Sequence, residues 1–353
     1  MLRRNFQTDI QIVDLIWIEP AALGLTTGAE SNIRNLVADA GTNVFLVRAE
    51  SSFVQVLADL KDANVRVIAI GEWARLLKRE AWMLWLVLRA KLQRRHVFYT
   101  SWMARICFVV LLLPIKCRVF VHDLNSYRAR VHDAKYPQPS FLSRFHQILS
   151  IKRPTVVQCF ARSVARQLKL LRSDAVIVGD QTVRVIAPVA ATKRGGAVIF
   201  LDDRSYKGNW ALSRFYSSQQ DFSLTVIGKI DAANEALLKS RGIAVRALRP
   251  TNKEKFRLLA ECDYVIFASK YEGYGLPPRE AAAVGTPSLI ARRAALLDIP
   301  APLSLSIDAL GDRIDLAEIP RLAAQINRGA LRQWAAQFLG SVSTSWLRTG
   351  SLQ

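Results

Sequence analysis

The sequence predicts an α/β protein of two Rossmann-like domains, each with a parallel sheet. Short apolar runs alternate with helical patterns along most of the chain, as expected for parallel strands covered on both faces. The length, 353 residues, suits about two domains with a core each. Third, the stretch ECDYVIFASKYEGYGLPPREAAAVGTPSLI at 261–290 reads as strand, loop, helix, strand. Its loop falls at the carboxyl end of a parallel strand, where open α/β sheets bind ligands.

In the first half, expected as domain 1–190, strand candidates lie at 10–18, 43–47, 65–70, 97–100, 118–122, 155–159 and 175–178. A glycine-bearing loop at 24–28 leads into a helix at 29–40. The polar, flexible stretch 192–196 makes a hinge. The second half, expected as domain 191–353, opens on a strand at 197–201, followed by DDRSYKG at 202–208. Further strands are expected at 224–227 and 243–248. Thr251 or Asn252 caps a helix at 253–262. The apolar run 263–269 is a buried strand. A loop at 270–278 then leads into a small-residue helix from about Arg279, because Pro277 and Pro278 suit a helix's first turn. Gly285 stops that helix, Pro287 forbids its continuation, and a strand follows at 287–291. Helical periodicity returns at 319–338.

The chemistry concentrates at 270–280. Glu272 and Glu280 bracket the loop with seven residues between them. Gly273 and Gly275 let the backbone approach a ligand closely. Backbone N–H groups near Gly275, Leu276 and the helix start face an anion, aided by the helix dipole. A phosphate cradle with a carboxylate at each end suits a sugar nucleotide: amides for the diphosphate, carboxylates for sugar and ribose hydroxyls.

The motif EGYGLPPREAAAVGTP resembles the Glu-x7-Glu signature of retaining glycosyltransferases with the GT-B fold, specifically the large family GT4 (glycosyl transferases group 1). The resemblance implies two Rossmann-like domains facing a central cleft. It also implies retaining sugar transfer from a nucleotide-sugar donor to an acceptor hydroxyl, with no metal and no other cofactor. It assigns catalytic roles to His122, Glu272 and Lys207. Glu272 takes hydroxyls of the donor sugar, and Glu280 those of the ribose. Gly273, Tyr274, Gly275 and Leu276 supply main-chain contacts to the donor. Lys207 and Arg204 offset the diphosphate charge, and the loop before the helix at 253–262, Thr251 included, touches the nucleobase. His122, in FVHDL directly after a strand, faces the transferred sugar from the other domain. Thr27 and Gly28 belong to a first loop near donor phosphate and acceptor. The last helix crosses back to the first domain. The chain departs from the family pattern in three places. Thr27-Gly28 stands for Gly-Gly, Pro188-Val-Ala for Pro-Asn-Gly, and Asp203 for the glycine before Arg204. The alternative readings are a nucleotide-sugar epimerase or phosphorylase of the same fold, or a polyanion-binding protein.

The net charge is +20, which draws polyanions: nucleic acid, anionic lipid or phosphorylated substrates. The basic residues form no helix-turn-helix, RNA-recognition or zinc pattern, so nucleic acid is not expected as a partner. Between Arg75 and Arg118 stand ten Lys/Arg and one acid, Glu80, interleaved with Trp82, Trp85 and Trp102. That segment reads equally as docking on an anionic membrane surface or as a partly buried helix with a solvated basic face. Membrane docking suits a lipid-linked glycan or lipopolysaccharide intermediate as acceptor, in a bacterial assembly route. The N-terminus shows no apolar signal region, and the longest apolar run, 106–115, is too short for a bilayer span. A cytoplasmic protein, peripheral on the inner face of the cell membrane, is the expectation. Cys107, Cys117, Cys159 and Cys262 are scattered in apolar contexts and read as buried reduced thiols.

Overall fold

The computed structural model describes residues 195–202 and 206–337 continuously, and before them a set of strands, helices and a few adjoining positions. The first half contributes seven strands, all paired in parallel: β1 Asp14–Ile18, β2 Thr42–Arg48, β3 Val65–Ile70, β4 Val97–Thr100, β5 Cys117–Phe120, β6 Val156–Cys159 and β7 Val176–Val178. Their order across the sheet is β3-β2-β1-β4-β5-β6-β7. Two described helices accompany them, α1 Phe141–Lys152 and α2 Arg162–Leu171. Helix α2 buries Val164, Ala165 and Leu168, an i, i+1, i+4 stripe that faces the core.

The second sheet runs from β8 Ala197–Leu201 through β10 Phe222–Gly228, β11 Ile243–Leu248, β12 Tyr264–Phe267 and β13 Ser288–Ile290 to β14 Ser304–Ser306. Its order is β11-β10-β8-β12-β13-β14, again parallel throughout. A two-stranded sheet, β9 Phe215–Tyr216 with β15 Ile314–Asp315, lies beside it. All four residues of the central strand β12 are buried, whereas the edge strand β11 buries Ile243 alone. This contrast follows from position: a central strand is covered on both faces, and an edge strand is wetted. The core on one face gathers Ile199, Leu224, Val226, Tyr264, Ile266 and Leu289. The Tyr264 hydroxyl donates to the Leu316 carbonyl at 2.9 Å, so the phenol is buried without an orphaned polar atom.

The helices between these strands are α3 Asn209–Leu212, α4 Ala232–Lys239, α5 Asn252–Glu261, α6 Leu276–Ala283, α7 Ile319–Ala323 and α8 Arg328–Ala336. Two expectations need adjustment. Helix α6 starts three residues earlier than expected, which puts Pro277 and Pro278 in its second and third positions. Their missing N–H groups would have no intrahelical partner there, so the prolines belong inside the first turn rather than before it. The periodicity at 319–338 resolves into two helices. The chain breaks at Asn327, whose side-chain oxygen accepts from the Ala330 N–H and starts α8 afresh. Helix α8 packs on α6, within the second half. Residues 338–353, where a return to the first half would run, lie outside the described residues.

Candidate functional site

In a doubly wound sheet, neighbouring strands whose connections leave in opposite directions open a crevice at their carboxyl ends. In the second sheet those strands are β8 and β12, which pair directly while β10 and β13 lie on their outer sides. The chain leaving β8 therefore meets the chain leaving β12. An isolated antiparallel bridge joins Lys207 to Ser269, and the Lys270 N–H donates to the Tyr206 carbonyl at 2.9 Å. These backbone contacts bring Lys207 and Glu272, 65 positions apart, into one ion pair whose members are nearly buried.

The loop after β12 then turns sharply. Gly275 precedes α6 in the left-handed conformation, φ 76°. A Cβ there would stand 2.7 Å from Leu296 Cδ2, so a side chain at this position would be strained in its backbone and would push Leu296 aside. The prolines at 277 and 278 carry no N–H. The first turn of the helix therefore offers the Leu276 amide without those of the next two residues, and the loop amides of Gly273, Tyr274 and Gly275 stand beside it. At its other end α6 stops as expected: Gly285 is left-handed, its N–H bonds Ala282, and the Thr286 N–H bonds Ala281 at 2.8 Å.

Glu280 lies one turn into α6. Its Oε1 accepts from Lys255 Nζ at 2.7 Å, and its side chain is 12% exposed. Glu272 is exposed to the same extent, so neither glutamate points into bulk solvent. Lys255 belongs to α5, which Thr251 starts with a capping box. The Glu254 N–H reaches the Thr251 hydroxyl, while the Thr251 N–H and hydroxyl both reach the Glu254 carboxylate at 2.8 Å. Those bonds hold the Glu254 carboxyl below the usual carboxylate range. Thr251 thus has a structural occupation, one helical turn from Lys255.

Three features were not foreseen. Lys255 is one. Its signal was present in the sequence, since it falls on the apolar stripe of α5 with Phe256, Leu259 and Ala260. Arg279 is the second. Its guanidinium is buried between the rings of Tyr274, at 4.1 Å, and Trp334, at 5.2 Å, and its Nε donates to the Tyr274 carbonyl at 3.3 Å. It ties the glycine loop to α8. The third is the contact between halves. The Tyr271 hydroxyl donates to Gln167 Oε1 on α2 at 3.3 Å. The Arg162 N–H, at the start of α2, donates to Asp298 of the 3-10 turn Ala294–Asp298 at 2.9 Å.

Lys207 meets Glu272 where the chain leaves β8 and β12, the loop Gly273 to Gly275 runs on from Glu272 into α6 at Leu276, and Glu280 lies one turn along that helix in a separate ion pair with Lys255. Arg204, His122, Thr27 and Gly28 lie outside the described residues. Among the described residues no His, Cys, Asp and Glu cluster could hold a metal ion. An open cavity of about 670 Å³ exists at the opposite, amino-terminal edge of the sheet, lined by Gly196, Asp221, Glu261 and Asp263. None of the expected site residues reaches it, and ligands of open α/β sheets bind at the other end.

No protein-family model matches the sequence, and no curated relative matches it. Solved structures do resemble the fold. The Anabaena protein HepE, solved with UDP and glucose, superposes with a TM-score of 0.66 at 14% identity, covering 94% of this chain and 97% of its own. The lipopolysaccharide outer core galactosyltransferase WaaB in its apo form gives 0.63 at 12% identity, covering 92% and 95%. A TarM mutant from S. aureus, in complex with fondaparinux, α-GlcNAc-glycerol and UDP, gives 0.64 at 9% identity, covering 96% and 99%. At such identities the likeness speaks for architecture: this chain has two Rossmann-like parallel sheets in the GT-B arrangement.

Proposed function

We propose that this protein is a glycosyltransferase that moves a sugar from a nucleotide-sugar donor to an acceptor hydroxyl, with retention at the anomeric carbon and without a bound metal. The observation that carries the proposal is the crevice beyond β8 and β12. Two nearly buried carboxylates flank a glycine loop there, and each is held by a lysine from a neighbouring element. Burying two such pairs is weakly stabilising at best, which points to a use beyond stability. The resemblance to GT4 and the solved neighbours that carry UDP support the same reading.

In this mechanism the diphosphate lies against the amides of Gly273 to Leu276. Lys207 is shared between Glu272 and the phosphate, with Arg204 as a second cation. As the bond from anomeric carbon to phosphate oxygen breaks, these groups offset the charge that grows on the leaving diphosphate. The acceptor oxygen bonds to the same carbon, and the leaving phosphate takes the hydroxyl proton. Glu272 holds donor-sugar hydroxyls, Glu280 holds the ribose, Thr251 lies toward the nucleobase, and His122 with the Thr27-Gly28 loop completes the site from the first domain. That domain spans 1–190 in this reading, with the donor domain at 191–353.

The test is a thermal-shift panel of UDP-, GDP-, ADP- and dTDP-sugars followed by a transfer assay. One donor raises the melting temperature, and Glu272→Ala lowers transfer by about 10²-fold or more. No stabilisation by any donor, or unchanged transfer by the variant, sinks the reading.

The acceptor in this proposal is a lipid-linked glycan or lipopolysaccharide intermediate, met at an anionic membrane surface from the cytoplasmic side. The helical positions Ala81, Leu84, Trp85 and Leu88 share one face by their i, i+3, i+4, i+7 spacing, and all are exposed. They sit inside the basic segment 75–118. A second exposed pair, Phe141 and Phe145, stacks on α1 with ring centroids 6.5 Å apart. Apolar side chains amid cations suit an anionic headgroup layer. No helix among the described residues is long and apolar enough to cross a membrane.

A further inference from the structure

We propose that Lys255 is a positioning residue that makes this site select ribonucleotides, by fixing the Glu280 carboxylate for the ribose hydroxyls. The inference rests on the nucleotide-sugar reading above and extends it to donor selection.

Lys255 stands where a lysine is costly. It is 8% exposed, so its ammonium is largely stripped of water. It occupies the first turn of α5, where the helix dipole opposes a cation. Holding a four-carbon stem in one rotamer costs further entropy. Against these costs the side chain has the Phe256 ring, 5.0 Å from Nζ, and Glu280 Oε1 at 2.7 Å. A simple packing role would be met better by leucine on that apolar stripe. A residue that breaks several local rules at once is expected where function requires it.

The geometry shows what the pair accomplishes. Glu280 and Lys255 come from two helices, α6 and α5, so the carboxylate is pinned between rigid elements rather than left on a loop. The lysine occupies Oε1. The remaining lone pairs then point in a fixed direction and accept only from hydroxyls placed to meet them. A site built to receive a hydroxyl rejects an analogue that lacks it, because its own polar group is left unpaired. A freely rotating carboxylate would turn to another partner and discriminate less. An ion pair serving stability alone predicts a fall in melting temperature on substitution, with no change in relative affinity for ribose and deoxyribose.

The experiment uses the full chain and isothermal titration with UDP, GDP and ADP, each beside its 2′-deoxy counterpart. The wild type binds its best ribonucleotide about tenfold or more tighter than the deoxy form, the value of a hydrogen bond to a charged group. Lys255→Met brings the two affinities toward parity, and Lys255→Arg restores most of the difference. Because Lys255→Met leaves a carboxylate unpaired, the double variant Lys255→Met with Glu280→Gln is titrated as well. It removes the uncompensated charge, recovers folding, and still fails to discriminate. Undiminished discrimination in either the single or the double variant overturns the proposal while leaving the nucleotide-sugar reading intact. A wild type that binds nucleotide without ribose preference, or prefers dTDP, also overturns it. Failure of the wild type to bind any nucleoside diphosphate removes both.

Discussion

Cys159 sits at the end of β6 with no measurable exposure, and its thiol donates to the Ala161 carbonyl at 3.6 Å. Burial pushes this thiol up to about 12 from its ordinary 9.0, with the nearby Asp298 adding in the same direction. The native chain therefore keeps a proton that the unfolded chain releases near pH 9. Stability contributed by this group is complete below that pH and declines as pH rises toward 12. Cys159→Ala should flatten the alkaline limb of a pH–melting-temperature curve, and the native thiol should resist iodoacetamide at pH 8. Prompt alkylation of folded protein at Cys159 would contradict the burial. The expectation of buried thiols is met at Cys159 and Cys262, both of which lie in the core. At this scale residue types were more legible than partners. Glu272, Glu280 and Lys207 announced themselves by spacing and glycine context. The pairing of Glu280 with Lys255 did not, because the apolar stripe of α5 marks the lysine as inward-facing but says nothing of a glutamate 25 residues away on another helix. The sandwich of Arg279 between Tyr274 and Trp334 is hidden for the same reason, since a pattern reader sees a cation in a helix and assigns it to solvent.

The elements were more legible still, and α6 shows where legibility stops. The sequence revealed its prolines, its small residues and its terminating glycine. The first helical residue was misplaced, because prolines are tolerated throughout a first turn and do not mark its beginning. The strand expected over 118–122 proves shorter, ending at Phe120, which leaves His122 beyond it and outside the described residues. Of the two candidate caps, Thr251 and Asn252, it is Thr251 whose hydroxyl starts α5. A sharper test concerns the turn at Gly275. Gly275→Ala places a Cβ against Leu296 and forces a left-handed alanine, costing at least about 1–2 kcal/mol. Denaturant unfolding should show that loss, and nucleoside diphosphate affinity should fall with it, since the loop amides share the same turn. A variant as stable and as tight-binding as the wild type would mean that the loop is not built around this conformation.

For the whole molecule, composition foretold a strongly cationic surface but not which face carries it. The exposed run at Leu84, Trp85 and Leu88 supplies a candidate. In vesicle sedimentation at low salt, Trp85→Glu with Leu88→Glu should reduce binding to anionic liposomes about tenfold, while neutral liposomes bind neither form. Equal sedimentation of variant and wild type would discard that face as the docking surface. The contacts between halves were illegible for a plain reason: Arg162 and Asp298 are 136 positions apart, and no periodicity links them. Yet Asp298 completes the start of a helix whose own preceding residue, Ala161, has no side chain able to do so. Each separation of the halves must hand that amide to water. Deuterium uptake at Arg162, compared with and without a bound nucleotide, is consequently a built-in counter of how often the two halves come apart.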